Sequence, residues 1–290
     1  MTRNLDYTIV VDATIDLPEE LFPQVQVIPM QVQIGADTLS HASNWSEQQS
    51  EAFYARLRAG ELPSTSQISP YAYEQAFERA LEGGGDALYL GLSSGLSDTV
   101  AQAQLAANAV AERCRGQRVV VVDSLSATYG ETLMLEAALD NRARGMTAEE
   151  NARWLAEHRH EFATWFTVED LMYLRHGGRI SSAAALLGSA LRIMPILRID
   201  ESGKLPVVEK IQGRKSAIKQ LVRRMEKHIS AHARKVYVIH ADVPEEAELL
   251  RRLAQHARPD AQVIVGGLGP VIGGHVGPGV LALAFRGNGR

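Results

Sequence analysis

The sequence predicts an α/β protein in two parts. An N-terminal unit is built on a mainly parallel sheet with helices on both faces, and a C-terminal α/β unit has a mixed sheet. Three observations predict it. Apolar runs at residues 7–12, 87–92 and 119–123 alternate with helical stretches, the signature of βαβ units and a doubly wound layer. The run Val119-Val120-Val121-Val122 is apolar at every position, as a strand inside a parallel sheet requires when both faces are covered. Past Phe162 the pattern changes, and residues 194–208 read as a hairpin turning at Ser202-Gly203, so strands of both directions are expected there. The boundary falls between domains of residues 1–162 and 163–290.

The elements follow from local signals. Residues 25–34 alternate like a half-buried strand, with Pro29 marking an edge or a bend. Ser46 caps a helix reaching residue 57, and Gln49 stands at capping-box spacing. Ser69 as N-cap and Pro70 at the first helical position open the next helix, which Gly83-Gly84-Gly85 ends. An alanine-rich helix over 98–113 follows the strand at 87–92. Another helix, over 131–144, stops at Gly145, and Thr147 caps the one after it, at 148–158. Beyond the boundary come a strand at 163–168, a short helix at 169–176 before Gly177-Gly178, and a small-residue helix over 181–191. An amphipathic helix at 214–231 precedes strands at 235–240 and 262–265, which flank a helix at 244–257; a last strand covers 280–285.

At 290 residues the chain can bury two cores. A net charge of −4 and the lack of a long basic run argue against a general binder of nucleic acid or anionic membrane. Cys114 is the single cysteine, so no internal disulfide can form, which fits a reducing cytosol. The first six residues lack an apolar signal core, and no run reaches the ~20 apolar residues that span a bilayer. A soluble, cytoplasmic protein without stable membrane insertion is expected.

Two distant turns carry the polar chemistry. Gly91-Leu92-Ser93-Ser94-Gly95-Leu96-Ser97 follows a strand and opens a helix, at the carboxyl edge of a parallel sheet where ligands bind. Ser93 can donate to an oxygen, and the Ser94 and Gly95 amides can face an anion at the helix start. An ordinary turn capped by Ser97 explains the same residues equally well. No Gly-Lys-Ser/Thr loop and no G-x-G-x-x-G occurs there, so a nucleotide is not the expected guest. Thr65, Ser66 and Gln67 precede the Ser69 cap and are not used by it. His275 stands in Gly273-Gly274-His275-Val276-Gly277-Pro278-Gly279, read as a rigid open loop. No metal ligand sits at suitable spacing from it, and neither metal nor cofactor is expected. Arg175 and Arg179 flank the Gly177-Gly178 break as a partner surface or a charge for an anion, with a solvated loop as the plain alternative. Asp12 and Asp123 end strands and read as turn and cap acceptors. A serine esterase-like hydrolase using Ser93 with His275 is the alternative function, without a local signature for the third member of a triad.

Five segments in order resemble the DegV family over nearly the whole chain. They are Val10-Val11-Asp12-Ala13-Thr14-Ile15-Asp16-Leu17, Thr65-Ser66-Gln67, Ser93-Ser94-Gly95-Leu96-Ser97-Asp98-Thr99, Gly177-Gly178-Arg179-Ile180 and His275-Val276-Gly277-Pro278-Gly279. The resemblance implies a two-domain DegV-like fold holding one long-chain fatty acid, such as palmitate, stearate or oleate, between the domains. It implies a non-catalytic subunit of a bacterial fatty acid kinase system. In such a system a separate ATP-dependent kinase phosphorylates the bound carboxylate, and the acyl phosphate feeds phospholipid synthesis. By motif, Thr65 and Ser93 resemble the hydroxyls on the carboxylate, Ser94 and Gly95 add backbone donors, and His275 completes the network. Gly177-Gly178-Arg179 resembles the region where the kinase approaches, and residues 181–197 are expected to wall the acyl slot. The chain departs from the family pattern at Ala13, Ile68, Asp98, Met194 and Val276, where serine, proline, glycine, lysine and threonine are usual. Of these, Val276 removes a hydroxyl close to the expected site.

Overall fold

The computed structural model describes residues 7–43, 45–114, 116–180 and 193–289. The helix expected over 181–191, and most of the acyl wall expected from 181–197, lie outside the described residues. Four parallel strands, β1 (Thr8–Asp12), β2 (Gln26–Ile28), β6 (Ala87–Gly91) and β7 (Val119–Asp123), lie in the order β2-β1-β6-β7. A small antiparallel sheet, β4-β3-β5, is made by β3 (Met30–Ile34), β4 (Asp37–His41) and β5 (Ser64–Thr65). The third sheet contains β8 (Phe162–Thr167), β9 (Ile193–Arg198), β10 (Val207–Gln212), β11 (Lys235–His240), β12 (Gln262–Gly267) and β13 (Leu281–Arg286). Its order is β10-β9-β8-β13-β11-β12, antiparallel except for the β11–β12 pair. The fold is thus α/β, with a parallel N-terminal sheet and a mixed C-terminal one.

Helices α1 (Glu47–Arg58), α2 (Pro70–Leu81), α3 (Thr99–Arg113), α4 (Tyr129–Ala143) and α5 (Ala148–His158) belong to the first half. The second half carries α6 (Met172–His176), α7 (Arg214–His228), α8 (Pro244–Ala257) and α9 (Pro270–Val276). Ser46 and Gln49 form a full capping box, as do Thr147 and Glu150, while Ser69 caps α2 ahead of Pro70.

Three expectations change. The run at 25–34 divides at Pro29, whose ring nitrogen cannot serve a ladder, so its first part joins the parallel sheet and its second part leaves it. Strand β7 lies at the edge of its sheet rather than inside it, with α3 and α5 packed on it; Val120 and Val121 are only half-buried. Residues 270–276 are a helix, although a loop was expected from the glycines. Pro270 starts it, and Gly277, at φ +78°, ends it in the left-handed region. Inside it, a Cβ on Gly273 would lie 2.1 Å from the Tyr54 hydroxyl, and one on Gly274 would lie 2.9 Å from Pro63 Cγ. Those glycines serve close packing of the helix, which outweighs their poor propensity of ~1 kcal/mol each.

Period-two alternation divides the six-stranded sheet between two cores. Leu281, Leu283 and Phe285 of β13, with Val236 and Val238 of β11, pack outward with α7 and α8. Ala282, Ala284, Tyr237 and Ile239 face the other way, into a core shared with the N-terminal strands. Helix α4 lies between the two layers, touching β6, β8 and β13. Where the inner face carries alanine rather than a large side chain, space remains beneath the sheet.

Candidate functional site

That space is a cavity containing about 810 Å³ of empty volume, its mouth included. One wall comes from residues following the parallel strands, Thr14, Leu92, Leu96 and Ala127, the carboxyl edge where α/β sheets bind ligands. Phe166, Ile239 and Ala282 of the mixed sheet form the opposite wall, and Val271, Ile272 and Val276 of α9 close a side. Most of the lining is aliphatic, and its polar atoms fall into two groups.

The first group is at Thr65, Ser97, Arg179 and His275. Thr65 Oγ1 and His275 Nε2 are 2.9 Å apart, although 210 residues separate them. Strand β5 holds Thr65 by pairing it with Val32, and α9 carries His275 in its last turn. Burial holds the imidazole down at about 4, with Arg179 and His176 adding to the effect, so the ring is neutral at pH 7. Arg179 comes in from the segment after α6, anchored by Nε donating to the Leu96 carbonyl at 3.1 Å and by Nη1 donating to the Gly177 carbonyl. Arg175 is exposed on α6 and does not reach the cavity. Ser66 and Gln67 are exposed as well.

Ser93, Ser94 and Gly95 stand behind the wall formed by Leu92 and Leu96. Ser93, fully buried, donates from Oγ to the Gly203 carbonyl at 2.9 Å and accepts the Gly95 N–H at 3.1 Å. Ser94 gives both its N–H (3.1 Å) and its hydroxyl (2.6 Å) to the Asp123 carboxylate. The donors at this helix start are thus bonded within the protein, to Asp123 and to the turn at Ser202-Gly203. Asp123 also accepts the Leu125 N–H, so it is a turn acceptor. No hydrogen bond joins Ser93 to His275 among the described residues, and neither Asp123 nor Asp170 bonds the imidazole.

The second polar group is Thr14, Thr128 and Thr164. Behind it lie Asp12, a turn acceptor as its place at a strand end indicates, and two carboxyls that the sequence does not single out, Glu131 and Asp16. Asp12 accepts the Thr14 N–H (2.9 Å), the Thr14 hydroxyl (2.6 Å) and the Tyr89 hydroxyl. Thr14 has one hydroxyl proton and gives it to Asp12. Glu131 Oε2 lies 3.3 Å from the same hydroxyl oxygen, a second and longer contact. Burial, reinforced by Asp12, pushes the Glu131 pKa well up. Asp16, pushed up to about 6 by burial, accepts Thr128 Oγ1 at 2.5 Å and the Gly269 N–H at 2.8 Å, tying the start of α4 to the start of α9. The usable signal in the sequence was threonine within an apolar strand, Phe162-Ala163-Thr164-Trp165-Phe166. Among the described residues no three His, Cys, Asp or Glu gather to hold a metal ion, and no helix is long and apolar enough to cross a membrane.

Gly177→Ala tests the mouth. The added Cβ would lie 2.6 Å from His275 Nδ1, while φ at 177 is −70° and allows any residue. The expected result is a displaced imidazole, seen as a changed His275 signal in histidine NMR, with the melting temperature within a few degrees of the parent because only a ring must move.

A family model described as "Uncharacterised protein, DegV family" matches residues 6–288. A DegV domain-containing protein of Clostridium perfringens is 32% identical over 284 residues, covering 97% of this chain and 98% of its own length. Among solved structures, hypothetical protein TM841 of Thermotoga maritima, described as revealing a fatty acid binding function, is similar with a TM-score of 0.81. It is 29% identical, with 97% of this chain and 98% of that one covered. The Streptococcus pneumoniae Fatty Acid Kinase (Fak) B3 protein, loaded with linoleic acid, shares the fold at a TM-score of 0.84. Its identity is 19%, covering 97% of this chain and 99% of that one. With a matching family model along almost all of its length and a cavity between its parallel and mixed sheets, this chain belongs to the DegV family.

Proposed function

We propose that the chain binds one long-chain fatty acid between two domains, residues 1–162 and 163–290, and presents its carboxylate to a separate ATP-dependent kinase. The observation that carries this reading is the cavity itself: an aliphatic slot with Thr65, His275 and Arg179 gathered at one place on its wall. With Nε2 protonated, His275 donates to Thr65 Oγ1 and frees the Thr65 hydroxyl proton for a carboxylate oxygen. Arg179 supplies the charge. Ser93, Ser94 and Gly95 shape the loop behind this mouth, and exposed Arg175 lies on the face offered to the kinase. The tail supplies affinity, at roughly 0.8 kcal/mol per buried methylene, and the head group supplies orientation. Fatty acid binding by the Thermotoga relative supports the ligand, and the kinase-system name of the Streptococcus protein supports the partner. The chain acts in the cytoplasm as a carrier without chemistry of its own. The esterase alternative is disfavoured, since the Ser93 hydroxyl faces Gly203 rather than an imidazole.

Organic extraction of the purified protein, followed by mass spectrometry, should release a long-chain fatty acid in near-equimolar amount. Thr65→Val with His275→Leu should weaken fatty acid binding about 100-fold, as hydrogen bonds to a charged acceptor contribute about 1.5–3 kcal/mol each. An empty extract together with no measurable binding of added palmitate or oleate would overturn the proposal.

A further inference from the structure

We propose that the inner part of the cavity recognises an acyl chain bearing an oxygen, as a hydroxyl or keto group, well away from its carboxylate, with Thr164 as the recognising residue. This rests on the fatty acid reading above and deepens it. Thr164 lines the cavity, is 3% exposed, and its Oγ1 has no hydrogen-bond partner among the described residues. Ser126 is fully buried, and its Oγ is likewise without a partner. Both hydroxyls pack against Gly130, where a Cβ would lie 2.3 Å from Ser126 Oγ and 2.8 Å from Thr164 Oγ1, and of the two it is Thr164 that lines the cavity.

The other hydroxyls on this wall are already committed. Thr14 donates to Asp12 and Thr128 donates to Asp16. Thr164 thus retains a donor as well as lone pairs for a guest. A buried hydroxyl without a partner has lost its bond to water, and a tail of methylenes returns nothing for it. Valine would fill the Thr164 position with the same shape and no such loss. An oxygen on the tail restores the bond.

Position separates this group from the mouth. Thr164 shares a face of β8 with Phe166 and lies two residues, roughly 7 Å, further from the strand end that leads to α6 and Arg179. It therefore meets the chain, not the head group.

The test is a binding series with stearate and stearates carrying one hydroxyl at successive positions along the chain. One position in the distal part should bind roughly 2–10-fold tighter than stearate, the range of a neutral hydrogen bond. Thr164→Val should bring that ratio down to about one, with a thermal melt confirming that the variant folds. Equal affinities along the whole series, or a preference that survives Thr164→Val, would overturn the inference while leaving fatty acid binding intact. Failure of stearate itself to bind would overturn the reading beneath it, and this one too.

Discussion

Ala282→Phe is expected to lower fatty acid affinity about 100-fold or more while the chain still folds. Ala282 faces the cavity from β13, paired with Phe166 on β8 and Ile239 on β11, both of which also line it. A phenylalanine there has neighbours on both flanks, so its ring must occupy the space in front of the strand. The volume it takes is lost to the tail. Displacing roughly four methylenes forfeits ~3 kcal/mol, or about two orders of magnitude in Kd. Because the ring fills a cavity rather than a packed core, the penalty for overpacking should be at the low end of its range of about 1–3 kcal/mol. Calorimetric titration with palmitate, beside a thermal melt, separates the two effects. Leu283, one residue along and facing the opposite core, provides the contrast: Leu283→Ala should cost stability without narrowing the slot. Unchanged palmitate affinity in Ala282→Phe would mean that the tail does not run beneath β13.

How much of this could be read from the sequence divides along the range of the forces involved. Caps are local, and Ser46 with Gln49, Thr147 with Glu150, and Ser69 with Pro70 act as their spacing indicates. The hairpin around Ser202-Gly203 and the parallel pairing of the first apolar strands follow from pattern as well. What escaped depends on distant partners. Strands β4 and β5 are short and mostly polar, and become strands only because β3 offers them an edge. The α9 glycines look like loop residues until Tyr54 and Pro63 are placed against them. At the site, Thr65, Arg179 and His275 were nominated, and the structure brings these three to one cavity wall. At the Ser93 loop the sequence leaves ligand donors and an ordinary turn equally open, because the acceptors Asp123 and Gly203 lie 29 and 110 residues away. Hydroxyl-rich sequence shows that donors exist, not where they point.

Gly203→Ala is expected to cost about 3 kcal/mol of folding stability, enough to lower the melting temperature by roughly 6–12 °C in a chain of this size class. Two causes add. Gly203 has φ +72°, in the left-handed region, where an alanine loses ~1 kcal/mol or more. Its Cβ would also stand 1.9 Å from Ser93 Oγ and 3.1 Å from Leu125 Cδ2. The serine cannot turn aside freely, since its hydroxyl is held between the Gly203 carbonyl and the Gly95 N–H. Overpacking of this kind costs about 1–3 kcal/mol. Gly84 isolates the first cause: it has φ +83° and nothing within 4 Å of an added Cβ, so Gly84→Ala should lose only the conformational part. Ser93→Ala isolates the second. It removes the clashing oxygen, so the double variant should be less destabilised than the sum of the single ones by an interaction energy of about 1–2 kcal/mol. Equal losses at 84 and 203, with strict additivity at 93 and 203, would mean that the turn and the serine loop are not locked together. The cavity depends on that lock, because Leu92 and Leu96 on one side of it and Leu205 on the other all line the slot. Loosening it should therefore weaken fatty acid binding in Gly203→Ala but not in Gly84→Ala, a difference that a binding titration at a temperature well below both melts would detect.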